Sequence, residues 1–327
     1  MDSWQAMSAL TAPPGLQILP GEGAPRLLTD PFSSGCQRYR PEIDGLRAVA
    51  VLAVIAEHFS SALLPGGFLG VDVFFVISGF VISLSLAGQA HASPSEFLIG
   101  FYVRRIKRLL PALVLCVLVT AVVASMFIDG GTLEYKTIIM SGAWALFGAS
   151  NIYFFAKATD YFATSSELNP FTHTWSLGVE EQFYLLYPVM FLLLVAGARR
   201  GAGMRYLAGF ALLVALSFAG FLLLLKPLPS ASYFLMPMRF WELGLGCLTY
   251  FFCSEPRRAA LLQREWIASG AAIVLGASFC MPADCQGVST PLAAVSSAVL
   301  IASLRPGGAL CAALSWRPVV SIWAATF

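Results

Sequence analysis

The sequence predicts an all-α fold, a polytopic bundle of helices crossing a lipid bilayer many times, and three observations carry that prediction. Hydrophobic residues make up 58% of the 327 and charged residues 12%, where soluble domains carry roughly 25% charged residues. Mean hydropathy is +0.76, too apolar for one water-soluble core. The apolar residues also come in runs of about twenty, the length a helix needs to cross the hydrocarbon layer.

Taken in order, the runs lie near 44–64, 69–88, 109–128, 175–197, 205–225, 232–253, 266–282 and 290–304, and a last one starts at about Pro318. Ahead of them, residues 1–38 hold Pro13-Pro14, Pro20-Gly21 and Pro31, with neither a sustained apolar run nor the apolar core of a secretory signal. They are expected to form a disordered cytoplasmic tail, with the membrane domain covering 39–327. The stretch 133–157, which carries Trp144, Asn151 and Tyr153, is ambiguous. Basic clusters decide it, because lysine and arginine concentrate in cytoplasmic loops. The clusters are Arg38/Arg40, Arg104/Arg105/Lys107/Arg108, Arg199/Arg200/Arg205, Arg257/Arg258/Arg264 and Arg305/Arg317. A single crossing at 133–157 splits them between two sides, whereas no crossing leaves all of them on one. Residues 133–157 are therefore expected to form a re-entrant or interfacial helix. That choice puts the amino terminus in the cytoplasm, 154–174 outside, and about nine spans in the chain.

Several function classes drop out. The net charge of +2 and the lack of a basic tract give no footprint for nucleic acid. No cysteine–histidine spacing suits zinc or another metal, and neither a nucleotide-binding loop nor a nucleophilic serine elbow occurs. Most of the cysteines sit in apolar runs, but Cys280 and Cys285 flank a Pro/Asp/Gly turn, where a disulfide would require an oxidising compartment.

The informative residues are the charges inside apolar runs, since an ionisable group at membrane depth costs about 2.5 to 3.5 kcal/mol and needs a partner or a task. The first run, EIDGLRAVAVLAVIAEHF, carries Asp44, Arg47, Glu57 and His58. Arg47 and His58 are eleven residues apart, which is about 20° past three full helical turns and roughly 16 Å along the axis. They share a face too long for a direct bond. That face suits an extended ligand with an anionic head at Arg47 and a reactive end at His58, a deep imidazole titrating near neutrality. Asp44, three residues earlier, is placed to hold Arg47.

In the second run Asp72 is expected near the outer end, and Ser78-Gly79 at midspan points to close helix packing. FYVRRIKRLLP follows, with its proline expected to open the next helix. Arg105 and Arg108 stand at i and i+3, face one way, and suit a shared polyanion. HTWSLGVEEQFYLLYP puts Glu180 and Glu181 in an apolar helix. Neighbours are about 100° apart, so at most one of them points squarely into a common site. Ser176, Glu180 and Tyr184 form a polar stripe at i, i+4 and i+8. In RFWELGLG, Arg239 and Glu242 have the spacing of an internal ion pair.

In the same order along the chain, YRPEIDGLRAVAVLAV, GGFLGVDVFFVISGFVI, FYVRRIKRLLPAL and HTWSLGVEEQFYLLYP resemble the motifs of the acyltransferase 3 family, membrane O-acyltransferases that acetylate bacterial surface and secreted glycans. The resemblance covers roughly Tyr39 to Arg317. It implies a catalytic histidine at His58 with Arg47 as its upstream partner, and a donor-binding arginine pair at Arg105 and Arg108. It also implies an acidic site residue at Glu180, with Glu181, Asp72, Asp44 and Ser176 in support. Acyl-CoA, acetyl-CoA above all, is then the donor substrate, with no permanently bound cofactor. The acceptor is a polysaccharide, lipopolysaccharide or lipid-linked sugar, and the location is the bacterial inner membrane. Members continue after LSWRP with further spans, and many carry a periplasmic SGNH-type domain. Here VVSIWAATF ends the chain, so the domain 39–327 reads as incomplete, with the SGNH-type unit expected as a separate partner. Charges at mid-membrane also suit a transporter of small molecules or ions, and an inactive truncated acyltransferase is a third class the residues leave open.

Overall fold

Prolines and small polar caps punctuate the apolar runs, and helices begin where they stand. Pro41, Pro94, Pro229 and Pro256 each occupy the first turn of a helix, where the missing N–H costs nothing. Ser93 and Glu96 form a reciprocal capping box, the Glu96 amide donating to Ser93 Oγ and the Ser93 amide to Glu96 Oε2.

The computed structural model describes residues 40–88, 93–159 and 169–326. The tail expected over 1–38 and the middle of the loop expected over 154–174 lie outside the described residues. Among those described, the order is α1 (Pro41–Phe59), α2 (Gly70–Ala87), α3 (Pro94–Phe127), α4 (Leu133–Leu146), α5 (Ser150–Ala158), α6 (Thr174–Arg199) and α7 (Gly203–Leu224). There follow α8 (Pro229–Phe234), α9 (Met236–Cys253), α10 (Pro256–Leu262), α11 (Glu265–Phe279), α12 (Gln286–Ser303), α13 (Ala309–Leu314) and α14 (Arg317–Thr326). No strand occurs among the described residues, in keeping with the predicted all-α class.

Helices form at every one of the expected apolar stretches. Among the described residues, five helices are long and apolar enough to cross a membrane: Gly67–Ala87, Pro94–Phe127, Thr174–Arg199, Gly203–Leu224 and Ala283–Ser303. The expected nine rest on hydropathy alone for the others. α1 is long enough at 19 residues but carries four charged side chains, and α11 is 15 residues. Residues 133–157 are not one helix. Gly148, at φ 64, breaks them into α4 and α5, and neither piece is long enough to span.

A second departure concerns the basic run. α3 is 34 residues long and starts at Pro94, so Arg104 to Arg108 lie inside it, and Pro111 is interior rather than initiating. The capping box at Ser93 moves the start upstream of the run. Cys280 and Cys285 are both free thiols.

Two buried clusters share α2 and α9 as their common spine. One gathers side chains of α2, α3, α5, α6 and α9 around Phe75, Phe183, Tyr187 and Phe240. The other joins α1, α2, α9, α11 and α12 around Leu46, Val76, Trp241 and Ile301. α2 and α9 approach so closely that a Cβ on Gly79 would strike the Leu243 backbone, and one on Gly246 would strike Val76. The small-residue packing expected at Ser78-Gly79 is therefore present. The Gly79 carbonyl accepts bonds from Ser83 Oγ at 2.9 Å and Cys247 Sγ at 3.3 Å.

Cross-helix bonds also fix direction. Ser78 bonds Glu180 and Ser83 bonds Tyr187, so α2 and α6 run parallel. Tyr102 donates to the Leu185 carbonyl and Arg105 to Glu181, so α3 runs antiparallel to α6. Gly79→Ala is expected to cost about 3 kcal/mol through overpacking against α9. Gly270→Ala, which meets nothing within 4 Å, should stabilise α11 by up to about 1 kcal/mol. Thermal melting of the two variants in detergent checks the contrast.

Candidate active site

Three helices, α1, α3 and α6, bring their charges together where α6 passes α2. Glu180 Oε1 accepts a hydrogen bond from Ser78 Oγ at 2.7 Å, while its other oxygen lies 3.9 Å from Arg105 Nη2. Glu181 holds the same guanidinium more tightly, at 2.8 Å from Nη2 and 3.0 Å from Nε. The guanidinium also stacks over the Tyr184 ring, 3.5 Å from its centroid, as a cation does on an aromatic face. From α1, Arg47 donates to Asp44 at 3.0 Å, and its positive charge reaches both Glu180 and Tyr184. Two arginines and three carboxylates thus neutralise one another to within a single charge, which is how ionisable groups persist in an apolar bundle.

The second group lies at the outer end of α1. His58 Nδ1 is 2.8 Å from the Val54 carbonyl oxygen and 3.0 Å from Glu57 Oε2. Both partners are acceptors, so Nδ1 is the donor in this arrangement, and Nε2 is the other ring nitrogen. His173, at the N-cap of α6, feels the charge of His58. Its ring keeps an open edge, yet crowding by the surrounding chain pushes its pKa below the ordinary 6.5. His58 pushes the same way, and a bond to the Pro170 carbonyl opposes both. Glu57 also acts on Tyr233 of α8, whose phenol burial pushes up to about 12. Tyr233 therefore stays protonated.

A third group is fully enclosed. Arg239 Nη1 of α9 bridges Asp72 of α2 at 2.5 Å and Glu242 of its own helix at 2.7 Å. Its Nε donates to the Tyr233 carbonyl at 3.2 Å. The rings of Trp175, Phe221 and Tyr233 surround the guanidinium at 5.2 to 5.7 Å. Tyr233 is where this triad meets the histidine end of the groove.

The charge of Arg47 reaches Glu180 and Tyr184 of α6, and that of His58 reaches His173 at the N-cap of α6. His58 is not deep, however. α1 ends at Phe59, so His58 occupies its last turn with 71% of its side chain exposed. The long Arg105 side chain lies 2.8 Å from Glu181 and 3.9 Å from Glu180, so it spans both carboxylates. Arg105 is partly buried against α6, whereas Arg108 is exposed. Ser176 turns back to the His173 carbonyl, 3.2 Å away. Asp72 lies in the first turn of α2, the end expected for it, and is 2% exposed and bound to Arg239. The expected Arg239–Glu242 pair is present, with Asp72 as a third member.

Glu57, His173 and Tyr233 were missed as site residues. Glu57 carried a signal in its adjacency to His58. His173 sits at the head of the HTWSL run, but nothing in the spacing indicates that α6 begins beside the end of α1.

The model of the acyltransferase domain family matches residues 40–323. A protein of Staphylococcus aureus strain MSSA476, provisionally named an O-acetyltransferase, is 36% identical over 218 residues, covering 65% of this chain and 35% of that protein. O-acetyltransferase OatA of Staphylococcus aureus strain NCTC 8325 is 39% identical over 158 residues, covering 48% of this chain and 26% of that protein. The chain spans about a third or less of the length of these curated relatives. No solved structure matches it.

The buried triad yields a test. Arg239→Ala leaves two enclosed carboxylates without a counter-charge and should cost about 3 to 5 kcal/mol, whereas exchanging all three residues for apolar ones of similar volume should restore most of that loss. Melting in detergent distinguishes the two.

Proposed function

The chain belongs to the acyltransferase domain family, and on that premise we propose that it is a multi-pass membrane O-acetyltransferase that moves an acetyl group from acyl-CoA to a hydroxyl of a surface glycan. The observation that carries the proposal is the hydrogen bonding of His58. With Nδ1 held by Val54 and Glu57, Nε2 is the free lone pair at the open end of the groove, which is what a general base requires.

The reaction follows from that placement. A glycan hydroxyl gives its proton to His58 Nε2 as its oxygen attacks the carbonyl carbon of the thioester. The carbon–sulfur bond breaks, the acetyl group stays on the glycan oxygen, and the thiolate leaves and takes the proton back from the imidazolium. Glu57 stabilises the positive charge on His58 between these steps. His173, held largely neutral, and Tyr233, held protonated, are further hydrogen-bonding groups for the acceptor at that end.

The donor's phosphates fit the other residues. Arg108 is exposed, and its side chain makes no hydrogen bond or ion pair among the described residues, so it is available to bind phosphate. Arg105 is held by Glu180 and Glu181 and takes the role of shaping the wall next to Arg47. The proposal keeps the amino terminus in the cytoplasm of a bacterial inner membrane, supported by the one-sided distribution of the basic clusters. Lipopolysaccharide, another polysaccharide or a lipid-linked sugar fits the acceptor role, and a separate SGNH-type unit fits as a partner. The names of the relatives support acetyl as the group transferred.

His58→Ala should lower glycan O-acetylation by at least about a hundredfold, the contribution of a positioned base, while the protein still inserts. Mass analysis of surface glycans from cells carrying each form reads the result. Unchanged acetylation contradicts the mechanism, and lost substrate movement with intact acetyl transfer would point to a transporter.

A further inference from the structure

The far side of α6 carries a hollow that the acyl-transfer groove does not use. Met190 is nine residues beyond Glu181, about 900° around the helix, so it faces away from Arg105. Between α6 and α7 there is a cavity of ≈ 380 Å³ walled by Leu193, Leu194, Phe210 and Leu213, with Arg205 and Tyr206 at one end. Gly209, four residues after Arg205, leaves it open: a side chain built there meets nothing within 4 Å. From Arg205 to Leu213 the groove is about 12 Å long. Leu193, Leu212, Leu213 and Leu216 are exposed around it, so it opens on the surface that faces lipid.

Arg205 is the unusual element. Sequence between Glu181 and Glu242 contains no aspartate or glutamate. The Arg205 side chain makes no hydrogen bond or ion pair among the described residues. Arg199 and Arg200 stand in the same turn between the helices. A guanidinium at the end of an apolar, membrane-facing groove, with more cations beside it and no carboxylate to answer it, is the complement of a phosphate attached to a hydrocarbon chain.

We propose that this groove is a binding site for an anionic phospholipid, one acyl chain lying along Gly209 and the phosphate at Arg205. A zwitterionic lipid fills the apolar part equally well, but it brings its own cation toward Arg199, Arg200 and Arg205. The site therefore selects by headgroup charge, and the open Gly209 admits the chain.

Native mass spectrometry of the detergent-purified protein, equilibrated with equal amounts of phosphatidylglycerol and phosphatidylcholine, tests this. The wild type should retain one phosphatidylglycerol with at least a tenfold preference. Arg205→Gln should keep lipid but lose the preference, and Gly209→Leu, which fills the hollow, should lose the retained lipid. Size-exclusion profiles and melting of each variant report folding. A photoactivatable phosphatidylglycerol provides a reading that needs no variant, and its label should concentrate in the peptide containing residues 205–213. Equal retention of the two lipids by the wild type overturns the site. So does label spread evenly over the lipid-facing helices, or selective retention of a polyprenyl-linked sugar phosphate instead.

Discussion

Arg239 holds two carboxylates inside the bundle, Asp72 from α2 and Glu242 from its own helix, and most of the remaining architecture depends on that arrangement. A lone guanidinium or carboxylate in this apolar interior would be expensive. Bringing the three together fixes α9 against α2 at one level, and the glycine contacts at Gly79 and Gly246 close the helices together along the rest of their length. With that pair set, α1 packs on one flank of α2 and α6 on another. The faces of α1 and α6 that carry charge then look at each other across a groove.

The groove has two chemically different ends. At one, Arg47 and Arg105 answer Asp44, Glu180 and Glu181, and Arg105 stacks against Tyr184. At the other, His58 pairs with Glu57, and the charges of these two residues reach His173 and Tyr233. Charge balance at the first end explains why so many ionisable residues are tolerated. The uneven bonding of the two His58 nitrogens at the second gives the groove a direction. The family match over 40–323 supports the acyl-transfer reading.

Much of this was legible in the sequence, and the parts that were not share a cause. The positions of the helices followed from apolar runs, because lipid allows few alternatives to a helix. The common face of Arg47 and His58 and the pairing of Arg239 with Glu242 followed from helical periodicity alone. The partner of Asp72 was not legible because it lies 167 residues away, and no local pattern encodes which helix packs on which. His58 was placed too deep because hydropathy does not mark the end of α1 at Phe59. The start of α3 was missed because the Ser93–Glu96 box lies well ahead of the apolar run it serves. Local periodicity gave faces and spacings, and tertiary contact decided partners and depth.

The central claim is that the end of α1 and the beginning of α6 meet, bringing His58 beside His173 in one site. Cross-linking tests it most directly. In a background freed of its native cysteines, a His58→Cys/His173→Cys variant in membranes is treated with a short thiol cross-linker and digested, and the linked peptides are sought by mass spectrometry. The account predicts an efficient intramolecular link between residues 58 and 173. Absence of that link, with both thiols open to labelling, would contradict it.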